Sequence, residues 1–177
     1  LTATRDLVIG ADESLYTAAG NGSFVHNGGV VVTGALHLNG GYNTGNTVGS
    51  YILKSDASLD SGGFGSMSNA SLFQQDGGQH TNTGLFIVGN SGGSDYDSVY
   101  LMGGGQADLN DLWVGGFGRG ILNQSDGQVT VSGELRVGDG PNIDPTRRFG
   151  EYNLSGGNLT AMGNVIIGAG NGVDADQ

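Results

Sequence analysis

Residues 120–138 read GILNQSDGQVTVSGELRVG, a stretch that contains both of the short motifs that recur along the chain. The first motif, which starts at Gly120, runs small, apolar, apolar, polar, polar, small, Gly, polar, apolar, Thr with small variations. The second motif, Leu135–Gly138, runs apolar, any residue, apolar, Gly. Short apolar runs separated by glycine and polar residues predict many short strands that are joined by tight turns.

The first motif occurs six times. The reference positions of its copies are Phe24, Ile52, Phe73, Tyr100, Leu122 and Tyr152, whose numbers differ by 28, 21, 27, 22 and 30. A period of this length is typical of a solenoid in which loops absorb the differences in length. We therefore predict a single all-β domain over residues 1–177, a parallel β-helix (β-solenoid) of about six rungs, or coils, with 21–30 residues each.

The second motif predicts which side chains fill the interior. Because side chains alternate along a strand, the first and third residues of each copy face inward, and the glycine after them turns the chain. The predicted inward pairs are Leu7/Ile9, Leu36/Leu38, Phe86/Val88, Leu112/Val114, Leu135/Val137 and Val165/Ile167. One copy is degenerate or missing between Phe64 and Asn69.

The composition argues against several classes of function. The 177 residues include 37 glycines, 17 acidic residues and six basic residues, and the net charge is −11. A surface with so few Lys and Arg side chains repels nucleic acid and anionic membranes. The chain has no cysteine, which excludes disulfides and thiolate metal sites. No apolar run approaches the length that spans a membrane.

Segments such as Tyr152–Thr160 and Leu135–Gly138 alternate in a way that resembles the autotransporter-type β-helix repeats of large secreted bacterial proteins, including some that carry PEP-CTERM sorting signals. The resemblance covers nearly the whole chain. It implies a right-handed parallel β-helix at or beyond the cell surface, and it supplies no shared catalytic residues. Because Leu1–Arg5 lacks the pattern of a signal peptide, an export signal would have to lie outside these 177 residues.

The two ends of the sequence are similar to each other. LTATRDLVIGA, residues 1–11, and LTAMGNVIIGA, residues 159–169, are identical at six of eleven positions. Neither end offers the polar cap that normally covers the open sheet edges of a solenoid. Three explanations are open: a piece of a longer solenoid, head-to-tail stacking into a fibre, or an unrecognised cap. For stacking, the predicted contact residues are Leu1, Leu7, Ile9, Leu159, Val165 and Ile167.

The outward middle positions of the second motif suggest a lateral contact. Four of them are apolar, namely Val8, Ile87, Trp113 and Ile166, whereas His37 and Arg136 are polar. On one face of the rod these residues would form an interrupted apolar stripe. The alternative is that a further strand or a loop covers them.

Acidic residues gather in the predicted turns. Stacked carboxylates can bind Ca²⁺, which prefers six to eight oxygen ligands, and the weak candidates are Asp95, Asp97, Asp139 and Asp144. The alternative is that these side chains are solvated and keep the rod soluble. We expect no other cofactor.

Three long loops are the places where a side-mounted function would sit, namely 11–22, 39–49 and 138–150. The third contains Asp139, Asp144, Arg147 and Arg148, the best local cluster for a polysaccharide-acting enzyme. Arginine in an acidic loop is more often an ion pair that holds the loop, so we predict no catalytic residues and no enzyme.

We expect an extracellular structural protein, a subunit of a fibre, stalk or sheath that associates with itself end to end. The alternative is a carbohydrate- or surface-binding adhesin fragment of a longer secreted β-helix, with surface glycans as partners. An enzyme that acts on polysaccharides is the third possibility.

Overall fold

The computed structural model describes residues 1–10, 21–39, 49–90, 96–139 and 149–168. All regular structure in these ranges is β-strand, and thirteen strands pair in parallel as one continuous sheet. The sheet winds into a right-handed parallel β-helix, which confirms the predicted fold class. The strands are β1 Leu7–Gly10, β2 Gly22–Thr33, β3 Leu36–Asn39, β4 Gly49–Ser61, β5 Gly65–Ser68, β6 Leu72–Val88, β7 Ser98–Val114, β8 Arg119–Gln124, β9 Gln128–Val131, β10 Leu135–Val137, β11 Phe149–Leu154, β12 Asn158–Ala161 and β13 Val165–Ile167.

Each coil consists of a first, a second and a third segment, and equivalent segments stack in three columns. The first column contains the beginnings of β2, β4, β6 and β7, then β8 and β11; these strands mark coils 1 to 6, and five full turns separate coil 1 from coil 6. The second column contains the ends of β2 and β4, the middle of β6 and β7, then β9 and β12. The third column contains β1, β3, β5, the ends of β6 and β7, then β10 and β13. In coils 3 and 4 a single long strand, β6 or β7, provides all three segments. At about 4.8 Å per coil the rod is roughly 29 Å long.

The first inward position of each coil forms a ladder of large side chains through the core. Its members are Phe24, Tyr51, Phe73, Tyr100, Leu122 and Tyr152. The ring centroids of Tyr51 and Phe73 lie 5.4 Å apart in nearly parallel planes. Our reference position Ile52 was therefore wrong by one residue, because Tyr51 pairs with Phe24 and Phe73 and Ile52 faces outward. The corrected differences between successive reference positions are 27, 22, 27, 22 and 30.

The third column confirms the predicted inward pairs in coils 1, 3, 4 and 5, where the pair members are buried. The degenerate copy between Phe64 and Asn69 is strand β5, in which Gly65 pairs with Phe86 and Met67 takes the inward position. Coil 6 differs, because Val165 and Ile167 are 52 % and 74 % exposed, whereas their partners Leu135 and Val137 are 3 % and 9 % exposed. These two side chains face the end of the rod.

Glycine is required at the corners because backbones of successive coils approach closely there. A Cβ atom at Gly120 would lie 2.0 Å from the carbonyl oxygen of Val88 and 2.6 Å from the backbone nitrogen of Gly115. Gly115 itself has a φ of 75°, in the left-handed region. The described part of the chain contains no helix that could cross a membrane.

Candidate self-association site

The coils are of two kinds, which alternate along the rod. Coils 1, 3 and 5 have Phe or Leu at the first inward position of the first segment and a polar residue at the second; the pairs are Phe24/His26, Phe73/Gln75 and Leu122/Gln124. Coils 2, 4 and 6 have Tyr and then an apolar residue; the pairs are Tyr51/Leu53, Tyr100/Met102 and Tyr152/Leu154. We call these the polar coils and the tyrosine coils.

A hydrogen bond joins each tyrosine coil to the polar coil before it, and it is buried in the first two of the three pairs of coils. The hydroxyl of Tyr100 donates to Oε1 of Gln75 over 2.6 Å, and that of Tyr152 donates to Oε1 of Gln124 over 2.6 Å. In the first pair of coils, the Tyr51 hydroxyl lies 2.9 Å from Nδ1 of His26. Burial raises the pKa of all three tyrosines, so their hydroxyl groups remain un-ionised.

The glutamine side chains also hold the corners of both coils. The Nε2 atom of Gln75 donates to the carbonyl oxygens of Gly78 and of Gln106, at 3.3 and 2.9 Å. Gln124 repeats this pattern with the carbonyl oxygens of Gly127 and Asn158. Each buried amide is therefore satisfied at both ends, and the cost of its burial is offset.

The true repeat is thus a pair of coils with a period of about 50 residues. Phe24 to Phe73, Phe73 to Leu122 and Tyr51 to Tyr100 are each 49 residues apart. Between coils 1 and 6, the lengths of the connections follow the same period. The connection from a polar coil to the next tyrosine coil has nine to eleven residues (40–48, 89–97 and 138–148). The connection from a tyrosine coil to the next polar coil has only three or four (69–71 and 115–118).

The last coil presents three strands with an open edge. Strands β11, β12 and β13 each pair with one neighbour, β8, β9 and β10, and have no second strand partner within the described ranges. The exposed large apolar side chains of this coil are Phe149, Leu154, Met162, Val165 and Ile167, and Leu159 is partly buried against the core. Glu151 is the only charged residue between Phe149 and Gly168. We call this surface the trailing face.

At the opposite end, residues 1–10 lie beneath the second and third segments of coil 1. Thr2 forms a bridge with Val32, and the backbone nitrogen of Ala3 donates to the carbonyl oxygen of Val32 over 2.8 Å. Strand β1 pairs with β3. The first segment of coil 1, Gly22–Gly29, has no strand beneath it among the residues described.

The similarity between the two ends of the sequence is a structural equivalence. Thr2 and Thr160 lie in one column, six coils apart, and so do Leu7 and Val165. We call Leu1–Gly10 the leading segment and Leu159–Gly168 the trailing segment. Of the predicted contact residues, Leu1, Val165 and Ile167 are exposed, Leu7 and Leu159 are partly buried, and Ile9 is buried.

The apolar stripe proposed for lateral contact is closed in its middle. Ile87 is completely buried, and Gly116 packs against the side chains of Ile87 and Trp113. Phe117 contacts Trp113, and the guanidinium of Arg136 lies 4.9 Å from the centroid of the Trp113 ring. Ile87 is therefore not available to a neighbouring rod, because the covering segment of our alternative is present there. Val8 is half exposed and Ile166 is partly buried.

Two of the four calcium candidates are ion-paired with arginine. Asp97 accepts from Arg119 over 2.7 Å, and the buried Asp139 accepts from Arg136 over 2.8 Å. Asp95 and Asp144 lie outside the described residues, as do Arg147 and Arg148 of the cluster considered for catalysis. No group of three or more His, Asp or Glu side chains suited to a metal ion occurs in the part of the chain that the structure describes.

The core contains a buried polar cluster that was not among the predicted sites. His80 is completely buried, its Nε2 lies 3.1 Å from the Ser61 hydroxyl, and Asn82 donates to that hydroxyl over 3.0 Å. Burial lowers the pKa of His80 to about 3. A substrate cannot reach this serine, so the cluster is a structural element of the core and not a nucleophilic site.

A second Ser–His contact lies in the third column. The Ser66 hydroxyl is 2.8 Å from Nδ1 of His37, and Nε2 of His37 is 3.7 Å from Asp6. The Asp6 carboxylate is too distant to orient the imidazole by a hydrogen bond, and Ser66 is buried in strand β5. This arrangement lacks the geometry of an activated nucleophile.

Comparison of the chain with protein-family models, with the curated proteins and with the solved structures gives no match in any of the three.

Proposed function

We propose that the chain is a structural subunit of an extracellular fibre, stalk or sheath, in which β-helices associate head to tail through their terminal coils. The observation that carries this proposal is the trailing face, where apolar side chains equivalent to core residues are exposed beside open strand edges. In coils 1 to 5, the same positions are covered by the next coil.

Association through the trailing face satisfies both the backbone and the side chains of that face. A strand that pairs with β13 would supply partners for its free N–H and C=O groups, and it would cover Val165 and Ile167. Charge supports the same contact. The chain has a net charge of −11, but Glu151 is the only charged residue of the trailing face, so this face adds little repulsion to a contact with another copy.

The proposal is tested by sedimentation velocity of the 177-residue chain over a wide range of concentration. We expect the mean mass to rise with concentration for the natural sequence and to stay at the mass of a single chain for Ile167→Asp. Ile166→Asp is the matched control, because this side chain lies on the same strand but faces away from the core. Monodisperse short rods at high concentration would contradict the proposal.

The arrangement of the long connections favours a second candidate, a glycan- or surface-binding adhesin. The connections 11–21, 40–48, 89–97 and 138–148 all leave the third column and enter the first, so their anchors lie along one edge of the rod. A row of loops along one edge can form an extended binding surface. Binding on a glycan array that is lost when 40–48 and 138–148 are replaced by Gly–Ser linkers supports this candidate, and absence of binding opposes it.

A further inference from the structure

We propose that head-to-tail association proceeds by strand exchange, in which the trailing segment of one copy replaces the leading segment beneath coil 1 of the next copy. The inference rests on the proposed function and specifies its partner, a second copy of this chain, and its register.

The alternation of coils determines which coil can follow the trailing face. Coil 6 is a tyrosine coil, and within the chain a tyrosine coil is twice followed directly by a polar coil. Tyr51 is followed by Phe73, and Tyr100 is followed by Leu122. The coil that continues this order above Tyr152 is therefore a polar coil, with Phe or Leu at the first inward position and a polar residue at the second. Coil 1, with Phe24 and His26, is such a coil.

Within the described residues, the first column of coil 1 offers a strand edge for that contact. Gly22–Gly29 has no strand beneath it among the described residues, so β11 of another copy can pair with it and bring Tyr152 under Phe24. In this register, β12 and β13 arrive beneath the second and third segments of coil 1. The leading segment already occupies those two places.

The two segments compete for one position, and their sequences are suited to the same contacts. Both begin Leu-Thr-Ala and end Ile-Gly, and the two closing glycines, Gly10 and Gly168, both have a positive φ. Val165 replaces Leu7 at the inward position that pairs with Leu36. Exchange therefore keeps the strand pairs of the second and third columns and adds a strand pair in the first column.

The simple alternative stacks β1 of one copy directly on β13 of another. This register leaves a gap of one strand between β11 and β2 in the first column, because the leading segment spans only the second and third columns. It also places polar coil 1 two levels above coil 6, where the alternation requires a tyrosine coil. In the exchange register, the leading segment thus competes with the trailing segment of another copy and does not itself form the contact between copies.

The two registers predict opposite effects of Leu7→Asp, measured by sedimentation velocity. A charge at this partly buried inward position weakens the leading segment, so strand exchange predicts a dissociation constant at least about tenfold lower than that of the natural sequence. Direct stacking predicts that association is lost, because the charge lies at the junction. Val8→Asp is the control on the exposed side of the same strand.

An engineered disulfide reports the register independently, since the chain has no cysteine of its own. Val32 and Thr160 are five coils apart within one chain, but strand exchange makes them neighbours between copies, within the reach of a disulfide. Direct stacking separates them by two levels, about 9.6 Å, which is too far. A ladder of oxidised oligomers from Val32→Cys/Thr160→Cys supports exchange.

The outcomes separate the two proposals. Strand exchange is overturned if the natural chain associates, Leu7→Asp abolishes this association or leaves it unchanged, and no disulfide ladder forms. Head-to-tail stacking then remains intact. No association by the natural chain or by Leu7→Asp overturns the proposed function itself. Circular dichroism shows whether each variant retains the β-fold. Should Leu7→Asp unfold, the cysteine pair decides between the registers.

Discussion

Tyr100 donates its hydroxyl hydrogen to Oε1 of Gln75 over 2.6 Å, from one coil to the coil before it, in the interior of the rod. The same bond joins Tyr152 to Gln124 two coils further on. These bonds make the pair of coils the repeating unit. They also establish the alternation of polar and tyrosine coils, which a head-to-tail contact with another copy has to continue.

The bond between Tyr100 and Gln75 is expected to stabilise the fold. Tyr100→Phe leaves a buried amide oxygen without its donor, so we expect the free energy of unfolding to fall by about 1–3 kcal/mol. In Tyr100→Phe/Gln75→Met the orphaned oxygen is absent, and a double-mutant cycle in urea should give a coupling of about 1 kcal/mol. Strict additivity of the two single changes would show that the bond contributes nothing.

His80 is expected to make stability depend on pH. Its pKa is about 3 in the folded chain and 6.5 in the unfolded chain, so below pH 6.5 the unfolded state binds more protons. The free energy of unfolding therefore falls as the pH drops from 6.5 towards 3, by up to about 1.4 kcal/mol per pH unit. His80→Leu removes this contribution. Denaturant unfolding at pH 7, 6, 5 and 4 measures the difference, and curves that run parallel for both proteins would contradict the assignment.

Close backbone contact at the corners predicts that one glycine is far more sensitive than another. Gly120→Ala places a Cβ within 2.0 Å of the Val88 carbonyl oxygen, and we expect a loss of more than about 4 kcal/mol or no folded protein. At Gly28 the nearest atom would be 3.7 Å away, so Gly28→Ala should change stability by less than about 1 kcal/mol. Thermal melts of the two variants test this contrast, and equal melting temperatures would refute it.

The short connection 69–71 contains backbone strain that can be relieved. Ala70 has a φ of 55°, in the left-handed region that disfavours residues with a Cβ. We expect Ala70→Gly to stabilise the protein by about 1 kcal/mol, although the freer unfolded chain offsets part of the gain. Ala107→Gly, in the buried part of strand β7, should destabilise it. A lower melting temperature for Ala70→Gly would contradict the expectation.

The sequence was sufficient to predict the fold because the one-coil motifs have the period of the strands and corners. Leu112, Val114 and Gly115 take the places that their spacing predicts. The register of coil 2 was wrong because Tyr51 and Ile52 are both suitable for a core, and only pairing across coils distinguishes them.

The two-coil repeat could have been found in the sequence. Gln75 and Gln124 are 49 residues apart, as are Tyr51 and Tyr100. The polar residues concealed the two-coil repeat, because a glutamine in a strand is expected to face solvent. The sequence does not reveal the donor and acceptor groups that pair with its amide in the core. The sequence left cover of the apolar stripe as an alternative but could not place it at Ile87, since the closure depends on how the segment at Gly116 folds back.

The axial rise per subunit in cryo-electron micrographs of the assembled 177-residue chain distinguishes strand exchange from direct stacking. Strand exchange predicts filaments in which each copy adds six coils, a rise of about 29 Å at about 4.8 Å per coil. Direct stacking adds seven levels and predicts about 34 Å. The shorter rise supports strand exchange. Isolated rods at every concentration would contradict head-to-tail association, and the longer rise would contradict the exchange.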